Sequence, residues 1–130
     1  MARVLVVEDD PDIRELVSLR LRAAGHRTVA VDDGESALAL VDAHGGPEVA
    51  VLDVGLPGLD GFATLQELRA RPGLHDVPAV FLTARVHEAD VERGRALGAT
   101  YLTKPFIASA LIATVERLAR ERAVVAADGW

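Results

Sequence analysis

Five residues carry side chains suited to metal binding or group transfer, and each ends or follows a short apolar run: Glu8, Asp9, Asp53, Thr83 and Lys104. Carboxylates from separate runs can share one hard cation, and a small set of oxygen ligands suits Mg²⁺. A carboxylate can also be the nucleophile in phosphoryl transfer. A metal and a lysine would offset the charge of the transferring group, and a Thr hydroxyl could donate to a phosphoryl oxygen. The pattern therefore indicates phosphoryl transfer to one of these carboxylates, with formation of an aspartyl-phosphate.

Each of these residues also has an ordinary structural explanation when it is taken alone. Asp10 precedes a proline and is predicted to cap a helix rather than to bind metal. Glu8 and Asp9 could simply favour the positive end of that helix. Asp53 could be a turn residue, Thr83 could cap the following segment, and Lys104 could be a solvated surface lysine. Their joint position at strand ends favours a functional site.

The elements that must position these residues alternate five times between strand and helix. The predicted strands are short and almost continuously apolar, at 3–7, 27–31, 49–52, 79–82 and 100–102. Continuous apolar runs are typical of parallel strands that are buried on both faces. The sequence thus predicts an α/β fold, a doubly wound three-layer sandwich, whose ligand site lies beyond the carboxyl ends of the strands.

The predicted helices span 11–24, about 35–44, about 61–71, about 88–97 and about 108–122. The fourth is the weakest, because its large apolar residues are Val91 and Leu97 and because Gly94 costs about 1 kcal/mol relative to Ala. It is either an exposed surface helix or a moving part beside a functional loop. The domain is expected to span 1–122, followed by a C-terminal tail at 123–130.

Composition narrows the possible functions further. The chain has 130 residues, enough for one domain, of which 50% are hydrophobic and 26% charged. Its net charge of −6 argues against a broad nucleic-acid surface. The absence of cysteine excludes disulfides and thiolate metal sites, and the four histidines lack the spacing of a zinc site. No apolar run is long enough for a secretory signal or a membrane span, so a cytoplasmic location is expected.

Four motifs in order resemble the receiver domain of two-component response regulators. They are Val-Leu-Val-Val-Glu-Asp-Asp-Pro at 4–11, Leu-Asp-Val-Gly-Leu-Pro-Gly-Leu-Asp-Gly at 52–61, Leu-Thr-Ala at 82–84 and Tyr-Leu-Thr-Lys-Pro-Phe at 101–106. The resemblance covers about residues 2–122. It implies a flavodoxin-like parallel sheet in the order 2-1-3-4-5, with five helices.

The resemblance also implies roles for the metal-binding residues. Asp53 would accept a phosphoryl group from a histidine kinase or a histidine phosphotransfer protein. Asp9, Asp53 and the backbone carbonyl of Gly55 would bind Mg²⁺, with Glu8 contributing mainly through water. The protein would not be a catalyst for an external substrate.

The remaining implied roles concern switching. Lys104 would pair with the acids at rest and with the phosphoryl group after transfer, and the Lys104–Pro105 bond would be cis. Thr83 would move toward the phosphoryl group and Tyr101 would turn inward behind it. The surface of helix 4, strand 5 and helix 5 would then change, which makes it the expected partner or homodimer surface.

Several residues depart from the family pattern. Glu8 replaces a more frequent Asp and keeps the charge. Gly55 and Arg85 occupy positions that influence how water reaches the phosphoryl group, so they bear on its lifetime. Ile107 replaces a helix-capping Ser or Thr, which could delay the start of the last helix to Ser109.

Two other interpretations compete with a phosphorylated switch. A metal-dependent phosphatase of the aspartyl-nucleophile kind would need a second Asp two residues after the first, where this chain has Gly55. A pseudo-receiver would bind partners without phosphorylation, but such domains normally lack one of the acids, the Thr or the Lys. All of these residues are present here.

Overall fold

A single parallel sheet forms the centre of the computed structural model, which describes residues 1–84 and 88–121. Its strands are β1 (Arg3–Val7), β2 (Arg27–Val31), β3 (Val49–Asp53), β4 (Ala79–Thr83) and β5 (Thr100–Thr103). They are ordered β2-β1-β3-β4-β5, and every neighbouring pair is parallel. The predicted sheet and its order are confirmed.

Three strands extend one residue beyond their predicted ends. The ladder pairs Asp53 with Leu82 and Thr83 with Thr103, and the Lys104 backbone N–H donates to the Thr83 carbonyl at 2.8 Å. Asp53 and Thr83 are therefore the last residues of their strands, held by the sheet rather than by a loop.

Five helices complete the alternating pattern: α1 (Pro11–Ala23), α2 (Gly34–His44), α3 (Gly61–Arg69), α4 (Glu88–Ala96) and α5 (Ala108–Glu121). Alternate strand residues point to opposite faces. In β1, Leu5 packs in a core with α2 and α3, whereas Val6 packs in a core with α1 and α5. These two cores define the three predicted layers.

Side chains fix where the helices begin. The Asp10 carboxylate accepts the backbone N–H groups of Asp12 and Ile13, at 2.9 and 3.2 Å, so its predicted capping role is confirmed. The last helix starts at Ala108, and the later start at Ser109 is wrong. The Ile107 carbonyl already accepts the N–H of Ala110 at 3.0 Å, which closes the first turn one residue earlier.

Two predictions lie outside the described residues: the tail at 123–130 and the position of Arg85. Among the helices that are described, none has the length and apolar character needed to cross a membrane.

Candidate functional site

The predicted site residues come together at the carboxyl edge of the sheet. Glu8 and Asp9 follow β1, and Asp53 ends β3, its immediate neighbour in the sheet. One carboxylate oxygen from each of these three residues lies within 4.8 Å of the others. Two adjacent parallel strands ending at the same edge produce this proximity.

Lys104 brings the only ammonium described at this cluster. Its Nζ lies 2.6 Å from Glu8 Oε1 and 3.5 Å from Asp53 Oδ1. Its backbone N–H donates to the Thr83 carbonyl, and the Lys104–Pro105 bond is cis. The cis bond and the pairing of Lys104 with the acids are both as predicted, and Glu8 is the nearer of its two partners.

Burial sets the electrostatics of the site. The Glu8 side chain is only 1% exposed, and this desolvation, with the Asp53 charge, raises its pKa from 4.5 to about 7 despite the Lys104 hydrogen bond. Desolvation alone would lower the pKa of Lys104, but its hydrogen bond to Glu8 and the charge of Asp53 raise it overall. The ammonium therefore stays charged near neutral pH. Glu8, with a pKa of about 7, is partly protonated there.

Asp9 is the exposed member of the cluster. Partial desolvation opposes its ionisation, but hydrogen bonds with the Asp53 and Glu8 carboxyls outweigh that effect and lower its pKa. A carboxylate that is ionised and open to solvent is well suited to receive a cation from water.

The donor set fits a hard divalent cation. All three side chains offer carboxylate oxygens, and such oxygens with room for water are what Mg²⁺ prefers. Gly55 lies two residues after Asp53 on the exposed side of the following loop. The role of its carbonyl as a ligand stays a prediction.

The two predicted switch residues differ in their surroundings. Thr83 is 2% exposed at the end of β4. Tyr101 is half-buried on β5, where its ring packs against Phe81 at 5.5 Å between centroids and its hydroxyl donates to the carbonyl of Asp90 in α4. Gly94 makes this packing possible, because a Cβ there would lie 2.0 Å from the Tyr101 ring.

Sequence reasoning missed two residues that support the site. The Arg14 guanidinium donates to the Glu8 carbonyl at 3.0 Å and so braces the end of β1 from α1. Gly61 lies so close to β3 that a Cβ would be 2.3 Å from the Asp53 carbonyl oxygen. The Gly-rich run after Asp53 signalled the second contact, whereas nothing in the sequence around Arg14 indicated the first.

This fold, with acids on two strand ends and a lysine on a third, defines a class of phosphoryl-accepting domains. The family model for the response regulator receiver domain matches residues 4–116. The chain belongs to the response regulator receiver domain family and is a receiver domain of two-component systems.

Known proteins resemble the chain closely over most of its length. The sensory transduction protein RegX3 of Mycobacterium tuberculosis (strain ATCC 25618 / H37Rv) is 39% identical over 121 residues, 92% of this chain and 52% of that protein. The phosphate regulon transcriptional regulatory protein PhoB of Escherichia coli (strain K12) is 36% identical over 127 residues, 97% of this chain and 55% of PhoB. The chain thus spans about half the length of these curated relatives.

Solved structures agree with this assignment. The chemotaxis protein CheY4 of Vibrio cholerae superposes with a TM-score of 0.83 at 34% identity, covering 91% of this chain and 98% of CheY4. The receiver domain of the Francisella response regulator 1452 superposes with a TM-score of 0.82 at 31% identity, covering 93% of this chain and 98% of that domain. Receiver domains are generally Mg²⁺-dependent and are generally not catalysts for external substrates.

Proposed function

We propose that Asp53 accepts the phosphoryl group and that the described site is the place of transfer. The observation that supports this most directly is the position of Lys104, whose ammonium lies 3.5 Å from an Asp53 oxygen while it also pairs with Glu8. A cation beside the nucleophile can stabilise the charge that develops on the transferring group. We take the receiver unit as residues 1–122.

Transfer would proceed by attack of an Asp53 carboxylate oxygen on the phosphorus of a phosphohistidine. A new O–P bond forms and the P–N bond of the donor breaks, so that its electron pair remains on the imidazole nitrogen, which takes up a proton. Mg²⁺, when bound by Asp9, Asp53 and the Gly55 carbonyl with Glu8 acting through water, would supply charge neutralisation for the phosphoryl oxygens. Lys104 would then exchange its bond to Glu8 for one to the phosphoryl group. Hydrolysis of the acyl phosphate, which releases inorganic phosphate, would return Asp53 to its resting form.

Thr83 and Tyr101 would convert the new charge into a surface change. Thr83 ends the strand next to that of Asp53, so its hydroxyl would move toward a phosphoryl oxygen on Asp53. Tyr101 already joins β5 to α4 through its hydroxyl. Movement of Thr83 would therefore alter how the Tyr101 ring packs and where α4 lies.

The phosphoryl donor would be a histidine kinase or a histidine phosphotransfer protein. An apolar groove of about 350 Å³ lies beside Lys104, lined by Ile13, Leu16, Pro105 and Phe106. Leu16 is 46% exposed and so brings the apolar lining of the groove to the protein surface. A partner that covers this groove would bring its histidine next to Asp53 and exclude water from the transfer.

The surface of α4, β5 and α5 is proposed as the output face, either toward a protein partner or toward a second copy of the chain. With its net charge of −6 the chain itself is not expected to bind nucleic acid. In the longer relatives, this chain matches about half of the protein. Any direct contact with DNA is expected to involve the other half.

Intact-mass measurement tests the acceptor. After incubation with a small acyl phosphate and Mg²⁺, the parent should gain one phosphoryl group, and Asp53→Asn should gain none. The same incubation with a chelator should suppress the adduct. An adduct that persists in Asp53→Asn contradicts the assignment, and a parent without any adduct would instead support a pseudo-receiver that acts by binding alone.

A further inference from the structure

Helix α4 is attached to the rest of the domain in an unusual way. Its sequence, Glu-Ala-Asp-Val-Glu-Arg-Gly-Arg-Ala, is mainly charged, and Gly94 is the buried residue of this fully described helix. Ordinary surface helices are held by a stripe of buried apolar side chains. The position of α4 must instead depend on a few individual contacts made by its polar groups.

Arg93 makes two of these contacts with the beginning of α3. Its guanidinium carbon lies 4.6 Å from the centre of the Phe62 ring, a cation–π geometry. One of its nitrogens lies 3.7 Å from Asp60 Oδ2. Phe62 is 1% exposed and packs on Phe81 at 4.8 Å between centroids, so the arginine rests on a fixed surface.

Asp60 connects Arg93 to the segment that carries the acceptor. Its other oxygen, Oδ1, accepts the Ala63 N–H at 2.8 Å and caps α3. One carboxylate thus joins the start of α3 to α4. The next residue, Gly61, donates its N–H to the Val54 carbonyl at 3.1 Å and touches the Asp53 backbone. The loop at 54–60 is therefore closed at its base by the Gly61–Val54 bond, next to Asp53.

We propose that Arg93 is a positioning residue that holds α4 against the start of α3 through Asp60 and Phe62. Because Asp60 is the last residue of the loop at 54–60, Arg93 gives that loop a direct connection to α4, beside the contact that Tyr101 makes with α4. The positioning role stands on the resting geometry. Its consequence for signalling, that phosphorylation changes α4 through Arg93, rests on the proposed function.

Hydrogen–deuterium exchange of the α4 amides in the full chain tests the positioning role. The variant Arg93→Ala should speed amide exchange in α4 by about three- to ten-fold, since an exposed cation–π contact and an exposed ion pair each contribute a small factor. Arg95→Ala is the matched control: the same substitution in the same helix, at a side chain that is 72% exposed and pairs with Glu92 at 2.8 Å. It should change α4 exchange by no more than about two-fold, because an exposed i, i+3 pair contributes little, and Arg93→Lys should restore part of the protection.

Asp60→Asn separates the charge of Asp60 from its capping role, because Asn caps helices about as well as Asp. This variant should speed exchange in α4 but not in α3. Combined with Arg93→Ala, it should add little, since both remove the same ion pair. The positioning role would be overturned if α4 in Arg93→Ala exchanged as it does in Arg95→Ala. It would also be overturned if, in the double variant, the effects of Asp60→Asn and Arg93→Ala on α4 exchange simply multiplied.

The same proteins test whether phosphorylation changes α4 through Arg93. They are treated with acyl phosphate and Mg²⁺, and intact mass confirms the Asp53 adduct before exchange is measured. The parent and Arg95→Ala should show a change in α4 exchange on phosphorylation that is at least halved in Arg93→Ala. An equal change in all three would overturn the coupling. If no adduct forms, the proposed function fails, while the resting comparison still decides whether Arg93 positions α4.

Discussion

Replacement of Glu8 by Gln is expected to stabilise the metal-free protein above neutral pH. The Glu8 side chain is 1% exposed, and burial raises its pKa from 4.5 to about 7. Between these two pH values the folded protein holds a proton that the unfolded chain has released. The parent therefore loses stability as pH rises through this window, and the loss is complete above about pH 7. Gln cannot ionise, so the variant should not lose stability in this way.

The size of the effect follows from the change in pKa. A rise from 4.5 to about 7 corresponds to about 3 kcal/mol of free energy of unfolding, as an upper limit. The Asp53 charge contributes part of this rise in pKa, and the contacts around it can readjust when Glu8 is replaced. The expected gain in free energy of unfolding at pH 8 is therefore about 1–3 kcal/mol. Below pH 4.5 Glu8 is mostly protonated in both states, and the gain should already be below about 1 kcal/mol at about pH 5.

Urea unfolding at several pH values between about 5 and 8, with a chelator present, measures this difference. Glu67→Gln is the control, because the Glu67 side chain is 54% exposed and forms a surface pair with Arg71 at 3.4 Å. Such a pair contributes about 0–1 kcal/mol, so the control should change little at any pH. A Glu8→Gln variant less stable than the parent at pH 8, or a difference that is constant with pH, would refute the reasoning.

Two further predictions concern the metal and the α4 contact. The apparent Mg²⁺ affinity, measured by calorimetric titration, should rise as Glu8 ionises and level off above its pKa of about 7; in Glu8→Gln it should be lower and nearly independent of pH over this range, and a parallel rise in both proteins would contradict this. Gly94→Ala should lower the free energy of unfolding by about 1–3 kcal/mol, because the new Cβ would lie 2.0 Å from the Tyr101 ring. In a Tyr101→Ala background the same change should be neutral or stabilising by up to about 1 kcal/mol, since Ala is the better helix former; a loss of similar size in both backgrounds would show that the ring is not the cause.

Most of the fold could be predicted from local patterns. Apolar runs flanked by helical periodicity located all five strands, and Asp10 located the start of α1. The strand ends were less exact, because Asp53 and Thr83 are polar residues that the neighbouring strands nevertheless hold in the ladder. Periodicity identifies what is buried, whereas the end of a strand depends on a partner elsewhere in the chain.

The sequence predicted which residues form the site but not the distances between them. Strand-end placement brought Glu8 and Lys104 to the same edge, yet their direct 2.6 Å contact joins residues 96 positions apart. The attachment of α4 was less predictable still. In the sequence, Gly94 only weakens a helix that is already weak. The structure shows why glycine is needed there, because the Tyr101 ring leaves no room for a Cβ.

The resting site combines two features that together make it responsive. Three carboxyls face one described ammonium, and the burial that raises the pKa of Glu8 shows that the cluster resists full ionisation. Lys104 reduces this repulsion by bonding to Glu8, the most buried of the acids. A bound cation would reduce it further and would let Glu8 ionise without Lys104. The ammonium would then be free to follow a phosphoryl group on Asp53, so binding of metal should precede and favour transfer. The Lys104 backbone N–H is bonded to the Thr83 carbonyl at the end of β4, and β4 pairs with β5, which carries Tyr101. The lysine that would follow the phosphoryl group is thus joined through the sheet to both proposed switch residues.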